Sequence, residues 1–171
     1  MEGKANKLLS LIGSEPRGIH LGLCFLRVCF GLGLVSGYGW SRLIHAGNYL
    51  FQGQEWPFLR IVKSLGFPLP VAFATASALA ESVCAVLLAA GLLTRVNASL
   101  IAFNMLVAVS LHLRLGQPLE PALLYLFSAL TLVLSGGGTY SIDALLTRRS
   151  SFRASAPRPY PSPETHPTAL G

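Results

Sequence analysis

Charged side chains are scarce in this sequence. Asp, Glu, Lys and Arg make up 12% of its 171 residues, whereas soluble domains carry about 25%. Residues 121–142 contain none of the four. Hydrophobic residues account for 52% of the chain, and a soluble protein of this composition would expose large apolar patches. The composition therefore predicts one integral membrane domain and no second large domain.

Cysteine is also rare, and the familiar cofactor motifs are missing. Cys24, Cys29 and Cys84 lie within apolar runs and form no CxxC pair. The sequence has no glycine-rich dinucleotide fingerprint, phosphate loop, haem-attachment motif or zinc-protease motif. We therefore expect no metal, nucleotide or haem, and we interpret the cysteines as small apolar core residues.

The excess of basic residues indicates a membrane orientation rather than a nucleic-acid partner. The net charge is +6, but the cations flank the apolar runs and form no basic and aromatic stripe. With four spans, the positive-inside rule compares eight cations on one side with four on the other. We expect membrane lipid as a partner, and a bacterial inner-membrane location with both termini cytoplasmic.

Four apolar runs predict an all-α fold, an integral membrane four-helix bundle. Gly33 and Gly37 in the first run are spaced for close helix contact. The predicted domains are a cytoplasmic lead (1–18), a four-span membrane domain (19–146) and a disordered cytoplasmic tail rich in Pro and Arg (147–171). The predicted spans are Ile19–Trp40, Leu69–Leu93, Val96–Leu115 and Pro121–Ser135.

The connection between the first two spans, residues 41–68, contains one amphipathic pattern. Its apolar side chains recur at the helical spacing i, i+3, i+4 and i+7, with cations on the other face. The pattern predicts a short amphipathic helix lying at the membrane interface. Its apolar residues are Phe58, Ile61, Val62 and Leu65.

Two of the spans carry a single charged residue near their centres, Arg27 in the first and Glu81 in the second. A lone charge at that depth costs about 2.5–3.5 kcal/mol on insertion scales, so we expect the two to face inward and pair. At 1.5 Å per residue, Asn104 and Ser128 fall in the same band near the midplane. The sequence predicts a buried cluster of Arg27, Glu81, Asn104, and Ser128 or Tyr125.

Two interpretations of this cluster remain open. A buried Arg–Glu pair completed by an amide and a hydroxyl can fix helix register without chemistry. Alternatively, the cluster is a pocket for a quinone head group, a proton or a small polar substrate. Cys24 and Cys84 each share a helix face with one of the charges, which raises the further hypothesis of a Cys24–Cys84 redox pair.

Several stretches together resemble the DoxX family of small four-span bacterial membrane proteins, from Leu21 to Leu146. The most specific are Glu81 followed by Gly-Leu-Leu-Thr-Arg, and Tyr140-Ser-Ile-Asp143. Where family members often have His-Gly-x-x-Lys, this chain has Tyr38-Gly-Trp-Ser-Arg42. The family is named for its resemblance to a subunit of an archaeal thiosulfate:quinone oxidoreductase, which implies quinone or thiol redox chemistry.

The resemblance and the polar cluster lead to two functional hypotheses. The first is a membrane subunit of a quinone- or thiol-linked oxidoreductase system, with quinone as cofactor and membrane or cytoplasmic redox subunits as partners. The second is a non-catalytic accessory or assembly subunit of a larger membrane complex. Whether the chain itself is an enzyme is left open by its residues.

Overall fold

The structure, a computed structural model, describes residues 16–147, and within them the chain forms helices and turns without a strand. The all-α prediction is confirmed. The predicted lead and tail, 1–18 and 147–171, fall almost wholly outside the described residues. The helices are α1 (Pro16–Leu34), α2 (Trp40–Gln52), α3 (Pro57–Ser64), α4 (Pro70–Leu79), α5 (Ala85–Ala90), α6 (Thr94–Leu115) and α7 (Glu120–Ser135), and a short helical segment follows at 142–147.

Two of the long helices contain a π-helical turn. The turn π1 (Val35–Gly39) joins α1 to α2, and π2 (Ala80–Cys84) joins α4 to α5. Each π turn continues the helix on both sides, so the chain forms two uninterrupted helices, Arg17–Gln52 and Pro70–Ala90. Single π turns inside helices occur frequently at functional sites.

Among residues 16–147, three helices are long and apolar enough to cross a membrane: Arg17–Gln52, Pro70–Ala90 and Thr94–Leu115. The fourth apolar helix, α7, has 16 residues, about 24 Å of helix against a hydrocarbon core of about 30 Å. The described part of the protein is thus a helical membrane domain. A complete four-span bundle stays a prediction.

The helix boundaries follow glycine and proline. Gly53, Gly91 and Gly116 end helices in the left-handed conformation, with φ of 66°, 78° and 63°, which glycine adopts without steric cost. Prolines occupy the first turns of α3, α4 and α7, where the missing N–H has no helical partner in any case.

The connection predicted at 41–68 is wrong in its first half. The first helix continues as α2 to Gln52, because no proline interrupts it before Gly53. The amphipathic helix is present as α3, but its buried side chains are Leu59 and Val62, while Ile61 is exposed. The location of α3 at a membrane interface stays a prediction.

Two apolar clusters stabilise the fold. One lies between the long helices and includes Phe30, Leu34, Leu88, Ile101 and Leu132. The other joins α2, α3 and α4 at one end of the molecule around Trp56, Leu59 and Val62, with Ala46, Ala74 and Ala78.

The first two long helices approach most closely at Gly31 and Gly39. A Cβ at Gly31 would lie 2.6 Å from the carbonyl oxygen of Ala85, and one at Gly39 would lie 2.0 Å from that of Glu81. A Cβ at Gly37, by contrast, would meet no atom within 4 Å. The close contact is therefore made by Gly31 and Gly39 and not by the predicted pair Gly33 and Gly37.

Candidate functional site

Glu81 is the centre of the candidate site. It lies in the π turn π2, and its side chain is 3% exposed. The π turn faces π1, where Gly39 packs directly on the Glu81 backbone. The absence of a side chain at Gly39 lets the two helices meet at this level.

The charged partner of Glu81 is Arg42, and the predicted pairing with Arg27 is wrong. Nη1 of Arg42 lies 2.5 Å from Oε1 of Glu81 and 3.4 Å from Oγ of Ser77. The guanidinium also lies over the ring of Phe58, with Cζ 4.3 Å from the centroid, a cation–π contact. Since the Arg42 side chain is 29% exposed, the ion pair joins a buried carboxylate to a partly accessible cation.

Arg27 is buried about two helical turns away from Glu81, at the level of Ala89. It donates hydrogen bonds to the carbonyl oxygens of Ala89 (3.2 Å), Gly137 (2.5 Å) and Tyr140 (2.8 Å). The antiparallel register that places Gly39 beside Glu81 places Arg27 beside Ala89, which accounts for the separation. Arg27 therefore holds the segment after α7 against the first helix.

Asn104 takes the place that the sequence predicts for it. Its Nδ2 donates to Oε1 of Glu81 at 2.9 Å. Oε1 thus accepts from both Arg42 and Asn104, while Oε2 is buried and has no hydrogen-bond partner among the described residues. A buried carboxylate oxygen with no partner is costly, so its presence needs an explanation.

Tyr125 and Ser128, the alternative members of the predicted cluster, differ in position. Tyr125 lies near Glu81, lining the same small cavity and packing edge-on against Tyr38 and Phe30. Ser128 is half-buried one turn further along α7 and lines neither of the cavities beside Glu81.

The structure does not bring Cys24 and Cys84 together. Arg27 is level with Ala89, and Cys24 lies one turn before Arg27, so the two cysteines are about 12 Å apart along the helix axes. A disulfide needs Cα atoms within about 7 Å, and both cysteines are free. The predicted Cys24–Cys84 redox pair is therefore wrong, although Cys84 does line the larger cavity beside Glu81.

Two cavities meet at Glu81. The larger, of about 380 Å³, lies between α3, α4 and α6 and is lined mainly by apolar side chains, among them Phe58, Phe67, Phe73 and Phe103. The smaller, of about 60 Å³, lies toward α7 and is lined by Tyr38, Tyr125 and Leu34. The residues common to both are Arg42, Glu81, Ala108 and His112.

Arg42, Tyr38 and His112 are the site residues that the sequence did not reveal. Arg42 and Tyr38 belong to the Tyr-Gly-Trp-Ser-Arg stretch. They are four residues apart, so on a helix both side chains lie on one face, and this spacing is a usable signal. The signal is hidden because the first apolar run ends at Trp40, which puts Arg42 in a predicted loop. His112 has no other histidine, cysteine or carboxylate at a metal-ligand spacing in the sequence, so the sequence does not mark it as a site residue. Within residues 16–147, no three or more His, Cys, Asp or Glu side chains come together as a metal site.

The end of the domain near Arg27 is organised by Asp143. Its carboxylate accepts hydrogen bonds from the backbone N–H groups of Leu93 and Thr94 and from the Thr94 hydroxyl, at 2.7–2.9 Å. Its own N–H donates to the carbonyl of Gly91. The two most specific stretches of the sequence, Gly91–Arg95 and Tyr140–Asp143, therefore form one structural contact.

The comparisons with known proteins identify one family. The family model described as DoxX matches residues 22–114, more than half of the chain. The matched segment includes Arg42, Glu81, Asn104 and His112. Comparisons with the curated proteins and with the solved structures found no match. With its apolar helices and its family match, this membrane protein belongs to the DoxX family.

Proposed function

We propose that this DoxX protein is the membrane subunit of a quinone- or thiol-linked oxidoreductase system, and that a quinone head group binds in the larger cavity beside Glu81. The observation that carries the proposal is that Glu81 lines an apolar cavity while its buried Oε2 has no hydrogen-bond partner among the described residues. An ionised carboxylate only accepts, so a ligand that offers a hydroxyl donor there, as the reduced quinol does, would satisfy the buried oxygen.

The size and lining of the larger cavity support a quinone. A volume of about 380 Å³ is within the 300–1,000 Å³ range of small-molecule sites, which are mostly apolar with a few placed polar groups. Four phenylalanines supply apolar surface, and Glu81, Arg42 and Asn104 supply the polar groups. This combination suits a flat apolar ring bearing oxygen atoms on its edge.

Each polar residue has a distinct role in the proposed site. Arg42 and Asn104 carry N–H groups that can donate to a ligand oxygen, while Glu81 can accept or release a proton at Oε2. When bound, a quinone would supply two-electron, two-proton redox chemistry. A membrane or cytoplasmic redox subunit is then needed as the electron partner, and Cys84, on the wall of the same cavity, is the thiol best placed for a thiol-linked version.

The test is quinone binding by the purified protein and by Glu81→Gln. We expect quinone to co-purify with the wild type and to be measurable by extraction and mass spectrometry. In Glu81→Gln the bound amount should fall at least about tenfold, because the charge-assisted hydrogen bond from a quinol hydroxyl to the carboxylate, worth about 1.5–3 kcal/mol, is lost. Glu55→Gln is the matched control, since that carboxylate is 85% exposed and pairs with Arg60.

Two outcomes would overturn the proposal. One is equal binding by the wild type and Glu81→Gln, and the other is an absence of quinone from both, even after incubation with a soluble quinone analogue. Loss of binding in Glu55→Gln as well would assign the effect to general damage.

A non-catalytic accessory role is the second candidate, and the bonds of Glu81 favour it. Arg42, Glu81 and Asn104 connect three helices, which is the arrangement expected of a register lock. Affinity purification in mild detergent distinguishes the two. A stoichiometric partner without quinone on this chain supports the accessory role, and a solitary protein with bound quinone supports the first proposal.

A further inference from the structure

The smaller cavity links Glu81 to His112 and to the surface. Its volume of about 60 Å³ is enough for about two water molecules at about 30 Å³ each. Tyr38 and Tyr125 line it, with ring centroids 6.3 Å apart and planes nearly perpendicular. Because Tyr38 is 42% exposed, the cavity extends from a buried carboxyl group to a partly exposed tyrosine side chain.

His112 is held in a defined tautomer. Its Nδ1 lies 2.8 Å from the carbonyl oxygen of Pro118, and a carbonyl can only accept a hydrogen bond. Nδ1 therefore carries a proton. In the neutral ring, Nε2 is then the nitrogen that can accept a proton, and His112 lines both cavities beside Glu81.

Glu81 shares its two cavities with several proton-carrying residues. Oε1 is occupied by Arg42 from α2 and Asn104 from α6. The other titratable side chains lining the two cavities are Tyr38 from π1, Tyr125 from α7, His112 from α6 and Cys84 from π2 itself. Tyrosine hydroxyls and water both donate and accept, so they can pass a proton between Glu81 and His112.

We propose that Glu81 and His112 exchange a proton through the smaller cavity. In this step the Oε2–H bond of the Glu81 carboxylic acid breaks and an Nε2–H bond forms on His112, with the cavity water and the tyrosine hydroxyls relaying the proton. Glu81 becomes a carboxylate and His112 an imidazolium, which then releases its proton to solvent. The inference rests on the proposed function for the origin of the proton, which a bound quinol would deliver from the larger cavity.

The route gives the two cavities different roles. The larger one admits an apolar ligand, and the smaller one conducts protons to the end of the molecule where α2, α3 and the start of α7 lie. Tyr125 and Tyr38 supply the relay hydroxyls in this scheme.

The test follows the carboxyl proton of Glu81 directly. Infrared spectra of the protein in lipid nanodiscs are recorded across acidic and neutral pH, and the carboxylic C=O band that Glu81→Gln removes is assigned to Glu81. After transfer to D₂O, the rate at which this band shifts reports exchange of the carboxyl proton. We expect His112→Gln to slow the shift on the order of tenfold or more, because a relay that loses its proton acceptor loses most of its rate.

Two further variants make the result specific. Tyr125→Phe keeps the ring and its packing but lacks the relay hydroxyl, so the band shift should slow as well while quinone still co-purifies. His45→Gln is the matched control, since His45 is exposed and bonded within its own helix, and its exchange rate should equal that of the wild type.

The inference is overturned if His112→Gln exchanges as fast as the wild type, or if no carboxylic band disappears in Glu81→Gln at any pH. Failure of the proposed function gives a different result, namely a wild type without quinone whose Glu81 band still responds to His112→Gln. In that case the proton route stands and its source is another ligand.

Discussion

Asp143 illustrates how one carboxylate can complete a helix that belongs to another part of the chain. The first N–H groups of an α-helix have no partner within the helix, and Asp143 accepts from two of them at the start of α6. The Thr94 hydroxyl adds a third bond. A residue 49 positions away in sequence therefore serves as the cap.

Replacing Asp143 with alanine should lower the free energy of unfolding by about 0.5–2 kcal/mol, the range measured for lost helix caps. Thermal unfolding of the detergent-solubilised protein measures the change. Glu55→Ala is the control, because its carboxylate is exposed and an exposed ion pair contributes about 0–1 kcal/mol. An equal change in both variants would contradict the capping role.

The same contact predicts a pH dependence. Partial burial by itself would raise the pKa of Asp143, but the hydrogen bonds from Thr94 and Leu93 and the nearby charge of Arg27 outweigh it and lower the pKa below its ordinary 3.8. A lowered pKa stabilises the fold above the ordinary value, and this contribution disappears as the pH falls through the native pKa.

We therefore expect the difference in unfolding temperature between the wild type and Asp143→Ala to be largest near pH 7. It should shrink as the pH falls below about 4. Scanning fluorimetry between pH 7 and pH 3 tests this. A difference that grows toward low pH would show that the sign is wrong.

Residue chemistry in the sequence can predict which polar side chains are buried, but not which of them meet. Arg27, Glu81 and Asn104 are recognisable as buried because each lies in an apolar run. Arg42 is not, since the apolar run before it ends at Trp40. Depth counted along one helix also says nothing about the register between helices, which is determined by the contact of Gly39 with Glu81.

At the scale of the element, the two π turns are the most informative feature. They face each other across the Gly39–Glu81 contact, where a Cβ would lie 2.0 Å from a backbone oxygen. A π turn inserts one residue into a helix and so redirects the side chains that follow. No helical periodicity in the sequence marks such a turn, which is why neither was predicted.

Gly39→Ala should destabilise the protein by about 1–3 kcal/mol or more, the usual cost of overpacking, because backbone at this contact has no free space. It should also reduce quinone binding by moving Glu81. Gly37→Ala is the matched control, since a Cβ there meets nothing within 4 Å. Thermal unfolding and quinone content are measured on both variants. Equal values for Gly39→Ala and Gly37→Ala would refute the close contact.

At the scale of the whole molecule, the ends of the described chain lie together. Arg17 and His20 at the start of α1 line one cavity with Tyr140 and Leu145 near residue 147. The turn between α6 and α7 lies at the opposite end, with His112 bonded to Pro118. The number of apolar helices and their order were predictable, because each helix is a continuous apolar run. The extent of the first helix was not.

The arrangement predicts a topology that reporter fusions can measure. A green fluorescent protein fused after residue 171 should fluoresce in a bacterial host, and alkaline phosphatase at the same position should be inactive, because the cations favour a cytoplasmic end. Phosphatase inserted after Gly116 should be active. The reverse pattern of activities would show the opposite orientation. The proposed release of protons by His112 would then be to the other side of the membrane.

The bonds of Arg27 have a consequence for the biogenesis of the protein. This cation enters the bilayer early in translation, yet two of its carbonyl acceptors, on Gly137 and Tyr140, are synthesised 110 and 113 residues later. Until that last segment has been synthesised, the first span carries a charged side chain that lacks two of its final hydrogen-bond acceptors. The first helix therefore completes its contacts only when the last segment has been made, and a nascent product truncated before Gly137 would lack two of the three carbonyl acceptors of the Arg27 guanidinium.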